Sequence, residues 1–399
     1  MKHLLEIMTC LVKSVLSDEE YHVMPKIREC YGKEQIPEEV LERMLVISSF
    51  HGMAHVVGTA LERNNLLKDG KIKDEFGKRI KDAKNKFALT DTEFERICFA
   101  LESAKIAFLP LKGAVIRDFY PEKWMRSSAD IDVLVHKEDV EKAGEVLEKE
   151  LLYQKGKSSA HDIPYTALNG MTLELHFDLV EEKRMPQAEK VLNRVWEYAS
   201  CPDNSCKYEM SDDMFYYYHI AHMAKHMEEG GIGIKAFADM WVLDNRKEFD
   251  ENKREKLIIE GGLFEFEKAA KALAAKWFDG KAPQEDADTI LTLEKYVVKA
   301  GTYGTLDNRV SVSSANKGSR GKYLFSRVFM PYEKLVLIFP SLEKHKNMIF
   351  FYQIARIGHI IKHGRVKSGL EEAKAAEKSG KDPESEKTLE MLKKFGIIK

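Results

Sequence analysis

Apolar positions recur at three- and four-residue spacing through both ends of the chain, and between them a central stretch switches to alternation. Leu4, Leu5, Met8, Leu11, Val12 and Val15 predict a helical lead-in over residues 1–65, with Ser17-Asp-Glu-Glu20 in the form of a capping box. The Lys-, Asp- and Gly-rich residues 66–90 predict a solvated helix or linker, and Thr90-Asp-Thr-Glu93 a further capped helix through Ser103. From Lys105 the period falls towards two. Ile106 to Leu109 predicts a strand, Lys112-Gly113 a turn, Ala114 to Tyr120 a short helix, and Ile131 to Val135 a second strand. An amphipathic helix follows over Lys137 to Leu151. The cleanest alternation in the chain, Met171-Thr-Leu-Glu-Leu-His-Phe-Asp-Leu179, comes after the turn residues Asn169-Gly170.

Beyond residue 185 the pattern is helical almost throughout. Asp212 opens a helix through Met227, on which Phe215, His219, His222 and His226 form one stripe. Residues 300–321, rich in Gly, Ser and Asn, predict a long exposed connection. The aromatic and basic segment from Tyr323 to Arg365 predicts a buried helical wall, ahead of a partner surface or a peripheral lipid contact, and Ser368 to Lys387 a solvated helix or loosely ordered tail. Strands confined to the centre make this an α+β pattern, divided into a helical segment (1–99), a core (100–182), a mostly helical domain (183–367) and a charged tail (368–399).

At 399 residues the chain exceeds the roughly 250–300 that one core serves. Charged residues make up 32% but the net charge is only -2, so the totals indicate neither a nucleic-acid coat nor an acidic tail. The cysteines (Cys10, Cys30, Cys98, Cys201, Cys206) are scattered and odd in number, and no apolar leader opens the chain, so a reduced cytoplasmic protein is expected. Cys201 and Cys206 lack the second pair of a zinc site, and His51 and His55 lack the acidic neighbours of one. No apolar run approaches the roughly 18 residues of a membrane span.

Side chains alternate across a strand, so Asp130 and Asp132 share one face, opposite Ile131, Val133 and Val135. Unpaired, the two acids would repel, and a hard divalent metal with oxygen ligands is the natural counter-charge. The later strand shows Thr172, Glu174, His176 and Asp178 on its polar side. Glu174 and Asp178 lie roughly 13 Å apart by strand rise, so one of them can join the pair. Gly113 lets the backbone approach phosphate oxygens, while Lys112 and Arg126 could offset charge on a transferred phosphate. His176 could bind phosphate, position a nucleophile, or serve as a structural hydrogen-bonding residue. For Lys235 and Asp239, one helical turn apart, a surface ion pair is expected.

Together, Leu111-Lys-Gly113, Arg126, Asp130-Ile-Asp132-Val-Leu-Val135 and Leu173-Glu-Leu-His176 resemble a poorly characterised bacterial nucleotidyltransferase family of the DNA polymerase β superfamily. The resemblance covers about residues 105–180, with a weaker echo at His222, His226, Lys235 and Asp239. It implies an α+β fold with a small mixed β-sheet nucleotidyltransferase core and helical N-terminal and C-terminal segments. Asp130, Asp132 and Glu174 would be the catalytic and metal-binding acids, Glu174 being preferred to Asp178. Lys112, Gly113, Arg126, His176, His222 and His226 would form the nucleotide-binding set. The implied cofactor is Mg²⁺ or Mn²⁺, and the co-substrate an NTP, ATP foremost, giving up NMP to a small-molecule or protein acceptor; with no dense basic stripe and interleaved aromatics in the core, nucleic acid is the weaker expectation. Ala114 follows the turn glycine where many superfamily members have a serine or second glycine, and the spacing from Gly113 to Asp130 is longer than in compact members. Those departures make a catalytically inactive nucleotide-binding or regulatory module the alternative.

Overall fold

The computed structural model of the chain describes residues 2–17, 20–179, 185–202, 205–284, 286–302, 304–362, 371, 374–375 and 383–398. It forms two compact units, Met1–Met223 with Gly233–Ile290 and Ala224–Ile232 with Leu291–Lys399. In the first, α1 (Lys2–Leu16), α2 (Met24–Tyr31), α3 (Glu38–Phe50) and α4 (Ala54–Arg63) precede a long α5 (Lys71–Ser103). Of the solvated helix or linker expected over 66–90 the structure has the helix, and the fresh helix start expected at Thr90 is corrected, because α5 runs unbroken from Lys71. Thr90 Oγ1 donates to the Lys86 carbonyl one turn back, at 2.8 Å, and Glu93 accepts from Tyr153 and Asn169, so neither caps a helix. The expected Ser17–Glu20 box is corrected, since Glu20 to Val23 are not helical and α2 starts at Met24 with Val23 before it; Asp18 and Glu19 lie outside the described residues.

One sheet has the order β1-β2-β5-β4-β3, with β1 (Phe108–Pro110), β2 (Asp130–Val135), β3 (Gln154–Lys155), β4 (Asp162–Thr166) and β5 (Thr172–His176). It is mixed: β2 is antiparallel to β1 and parallel to β5, and β4 is antiparallel to both neighbours. A single helical turn, α6 (Gly113–Ile116), follows β1, and α7 (Val140–Lys149) follows β2. Ile131, Val133, Val135, Leu173 and Leu175 enter a core shared with Phe94, Ile97 and Leu101 of α5 and with Ala143 and Leu147 of α7. Burying the odd positions of β2 and β5 under these helices turns Asp130, Asp132, Glu174 and His176 to the other face. That alternation positions the site.

The chain continues through α8 (Pro186–Leu192), a short ladder of β6 (Ala199–Ser200) and β7 (Glu209–Met210), α9 (Asp212–Glu228), α10 (Ile234–Arg246), α11 (Glu251–Glu260) and α12 (Phe264–Phe278). Phe237 and Trp277 meet edge to face at 5.2 Å where α10 packs on α12.

The second unit contains most of α13 (Ala287–Ala300), then α14 (Leu306–Asn316), α15 (Arg320–Val328), α16 (Tyr332–Ile338), α17 (Ile349–Lys362) and α18 (Pro383–Lys394). The connection expected over 300–321 is largely helical. Thr305 caps α14 by accepting from the Asn308 amide, and small residues such as Ser311 and Ser314 bury with Val310 and Val312. The buried wall expected between Tyr323 and Arg365 is only partly one: Leu335 and Leu342 are buried, whereas Phe325, Phe350, Phe351 and Ile354 are exposed. Most of Ser368–Lys387 lies outside the described residues, and α18 buries Met391 and Leu392. No helix among the described residues is long and apolar enough to cross a membrane.

Candidate active site

The parallel register of β2 and β5 sets Asp132 opposite Glu174 and Asp130 opposite Thr172. Asp132 is buried, while the Glu174 side chain keeps 29% of its exposure. The turn after β1 brings Lys112 to them, with Nζ 2.7 Å from Asp132 Oδ1 and 3.6 Å from Glu174 Oε2. His176 Nε2 meets the same two carboxylates at 3.0 and 3.4 Å, and its buried Nδ1 has no hydrogen-bond partner among the described residues.

These contacts move the protons. Burial works against the charge on Asp132, but Lys112 and His176 outweigh it and hold the carboxyl below the usual range. Burial likewise opposes the Lys112 ammonium, yet Asp132, Tyr218 and Glu174 raise its pKa above the ordinary lysine value. His176 is raised in the same way, its hydrogen bonds to Asp132 and Glu174 prevailing over burial. At Asp130, burial followed by repulsion from Asp132 outweighs the attraction of Lys112 and raises the pKa.

Beside the acids, the Gly113 turn closes on the chain leading into β2. A Cβ on Gly113 would collide with Ser128 Oγ. Arg126 reaches back here, its Nη1 donating to the Ser127 carbonyl at 2.7 Å and lying 3.4 Å from Ser128 Oγ. Its Nε donates to Asp239 Oδ1 at 2.6 Å, an oxygen that also accepts from Tyr120 at 2.6 Å. Asp239 is therefore buried and held by Arg126, not engaged in the surface pair with Lys235 expected of their spacing. Lys235 donates instead to the Ser127 carbonyl at 3.3 Å. Arg126, Ser127, Ser128 and Asp130 line a narrow cleft with Lys86, Thr90, Gly113, Ala114 and Arg117.

The sequence-predicted set thus divides. Asp130, Asp132, Glu174, His176 and Lys112 come together, with Gly113 and Arg126 adjoining. Asp178 lies past the end of β5, 2.8 Å from Lys137. His222 packs near the Tyr218 ring at 6.2 Å, and His226 is 3.5 Å from Glu229 within the second unit. On α9 the residue beside the cluster is Tyr218, which burial keeps protonated and which helps raise the pKa of Lys112. His219 Nε2 donates to the Ala236 carbonyl, 3.0 Å away, and burial lowers its pKa. His55 is similarly structural, 2.8 Å from the Met125 carbonyl. Sequence reasoning missed Tyr218, Ser128 and Lys86. The Arg126-Ser-Ser128 run before the acids was the available signal for one of them.

Asp132, Glu174 and His176 offer donor atoms within 4.8 Å of one another, and His161, Asp162 and His176 form a second such group. The fit to a hard cation is visible in Lys112, whose ammonium occupies the position a positive charge must take between Asp132 and Glu174. Asp132 and Glu174 bring carboxylate oxygens to the first group and His176 a ring nitrogen, whereas Asp130 is not part of it.

A small mixed sheet with paired acids on an inner strand and a glycine turn beside them defines a class, and the match at family level agrees. The chain belongs to the family described as uncharacterised nucleotidyltransferase, whose model matches residues 37–279. The matched region contains the whole sheet and both Arg126 and Asp239. No curated protein and no solved structure matches the chain.

Proposed function

We propose that this nucleotidyltransferase is Mg²⁺-dependent and transfers NMP from an NTP, ATP foremost, to a hydroxyl or phosphate of a small-molecule or protein acceptor. The observation that carries the reading is Asp132 opposite Glu174, with Asp130 one pleat along and Lys112-Gly113 beside them. Asp130, Asp132 and Glu174 would hold the metal, which when bound supplies charge neutralisation at the phosphates. Lys112 and Arg126 orient and neutralise the phosphate chain. Glu174, the more exposed acid, takes the proton of an acceptor hydroxyl as its oxygen bonds to the α-phosphorus and pyrophosphate departs. His176 keeps Asp132 ionised and oriented.

A second reading, a nucleotide-binding module without turnover, is favoured by one observation: the Lys112 ammonium already satisfies Asp132 and Glu174. The test is incubation of the full chain with each NTP and Mg²⁺, following pyrophosphate and scanning acceptors and the protein itself for added NMP by mass spectrometry. Release that disappears in Asp130→Asn and Glu174→Gln supports transfer. Binding without release across the acceptor panel supports the module, and absence of binding removes both.

A further inference from the structure

We propose that α17, with the neighbouring end of α15, is a docking surface for an anionic lipid bilayer, on which the protein sits peripherally. The proposal is independent of nucleotidyl transfer, since both helices lie beyond residue 279, where the family match ends.

α17 is inside out. Phe350, Phe351, Ile354 and Ile357, at offsets of 0, 1, 4 and 7, form one exposed face, and the first three keep more than half of their surface. The opposite face buries Gln353 and Arg356. A helix that met only water would do the reverse. The cause lies at the end of α15, whose last carbonyls have no partner within their own helix. Arg356 donates to the Arg327 and Val328 carbonyls at 2.9 and 2.7 Å, and Gln353 pairs with the backbone of Met330. Because the polar side chains of α17 terminate α15, its apolar side is left facing out. Along α15 and its C-cap, Lys322, Phe325 and Phe329, at offsets of 0, 3 and 7, are also exposed, and the two rings stack at 4.7 Å.

Charge identifies the occupant. Between Lys317 and Lys362 the sequence carries nine Lys or Arg and two acids, Glu333 and Glu343, in a chain whose net charge is -2. Lys344 and Lys346, both exposed, stand just ahead of Phe350, and Arg327 is exposed between Phe325 and Phe329. A second copy would bring like charges together, and aliphatic Ile354 and Ile357 gain nothing from the stacking that nucleic-acid bases offer. A bilayer with acidic headgroups suits both features. The aromatic and aliphatic side chains enter the boundary between headgroups and acyl chains, while the cations stay at the lipid phosphates. With 14 residues α17 is about 21 Å long, short of a hydrocarbon layer of roughly 30 Å, so it lies along the surface.

The experiment is co-sedimentation of the full chain with sucrose-loaded vesicles, one set of phosphatidylcholine alone and one of phosphatidylcholine and phosphatidylglycerol in equal parts. Wild type is expected to bind the anionic vesicles at least about tenfold more tightly, and to lose that preference near 1 M salt, where the Debye length is about 3 Å. Lys344→Gln combined with Lys346→Gln should weaken anionic binding about 30-fold, at roughly fivefold for each lysine near the surface. Phe350→Gln combined with Phe351→Gln should weaken it by about 100-fold or more through lost apolar burial, with an unchanged circular dichroism spectrum because both rings are exposed. Equal binding to the two vesicle types, binding to neither, or unchanged binding in either variant overturns the proposal. If wild type leaves vesicles alone but dimerises, or binds single-stranded RNA, through the same phenylalanines, a second copy or a nucleic acid is the occupant instead. Should the phenylalanine variant not fold, the lysine variant decides.

Discussion

The Lys112 ammonium lies 2.7 Å from Asp132 Oδ1, and the lysine that makes this bond has a backbone φ of 44°. A non-glycine residue in that region costs on the order of 1–3 kcal/mol, and it persists where its surroundings hold it. Here the surroundings are a buried carboxylate. The strained turn and the ion pair therefore support one another, and both point the ammonium at the acids.

Removing Asp132 leaves Lys112 and His176 without their shared partner. Asp132→Ala is expected to lose about 3–5 kcal/mol of stability, so the simplest test of catalysis at this position also disturbs the fold. The loss depends on pH. Since the folded carboxyl titrates below its unfolded value, its contribution is present above about pH 4 and fades as pH falls towards the folded pKa. Urea unfolding should show the gap between wild type and variant narrowing from pH 6 to pH 3; a gap independent of pH would contradict the ion pair.

Lys112 competes with any cation for Asp132 and Glu174. Lys112→Met should tighten Mn²⁺ binding by about tenfold, a modest part of the screened Coulomb energy of charges this close. The same variant should bind ATP more weakly. Electron paramagnetic resonance titration of free Mn²⁺ reads the first effect, and equal Mn²⁺ affinity in both proteins would remove the competition.

Gly113 has no room for a methyl group because Ser128 Oγ lies where the Cβ would go. Gly113→Ala should cost about 1–3 kcal/mol by overpacking. Adding Ser128→Ala should recover part of that cost, since contacting residues are not additive. Thermal unfolding of the two single variants and the double variant closes the cycle, and strict additivity would refute the contact.

Lys235 has the opposite sign from Asp132. Its folded pKa is lowered, so burying the ammonium destabilises the protein fully below about pH 7, and the penalty is relieved as pH rises towards the unfolded value near 10.4. Lys235→Met should therefore melt above wild type at pH 6, with the advantage shrinking by pH 9. A shift of about 2–4 °C corresponds to each kcal/mol in domains of 150–250 residues. An equal shift at both pH values would show that the lysine is not titrating.

Much of the central region was legible because its signals are local. β2 and β5 were announced by alternation, and the pairing of Asp130 with Asp132 on one face follows from the strand period alone. β4 was not legible, since Asp162-Ile-Pro-Tyr-Thr166 carries a proline and a short apolar pattern, and only its ladder with β5 makes it a strand. The capping box at Thr90 misled because a threonine inside a helix bonds to the carbonyl one turn back as readily as it caps a new one. The histidine stripe on α9 was real as a period, but the period does not say which side of the helix meets the sheet. Tyr218, one residue before His219, is the α9 residue that acts on Lys112.

From the sequence by itself came the α+β class, the two strands that carry acids and the glycine turn before them, because periodicity and spacing are properties of neighbouring residues. Only the tertiary structure decided that Glu174 and not Asp178 faces Asp132, that Ser128 fills the space beside Gly113, and that Asp239 belongs to Arg126 rather than to Lys235. Ser128, Asp132 and Arg126 lie 15, 42 and 113 positions from their partners Gly113, Glu174 and Asp239. Such pairings depend on strand register and helix docking, which no local spacing encodes.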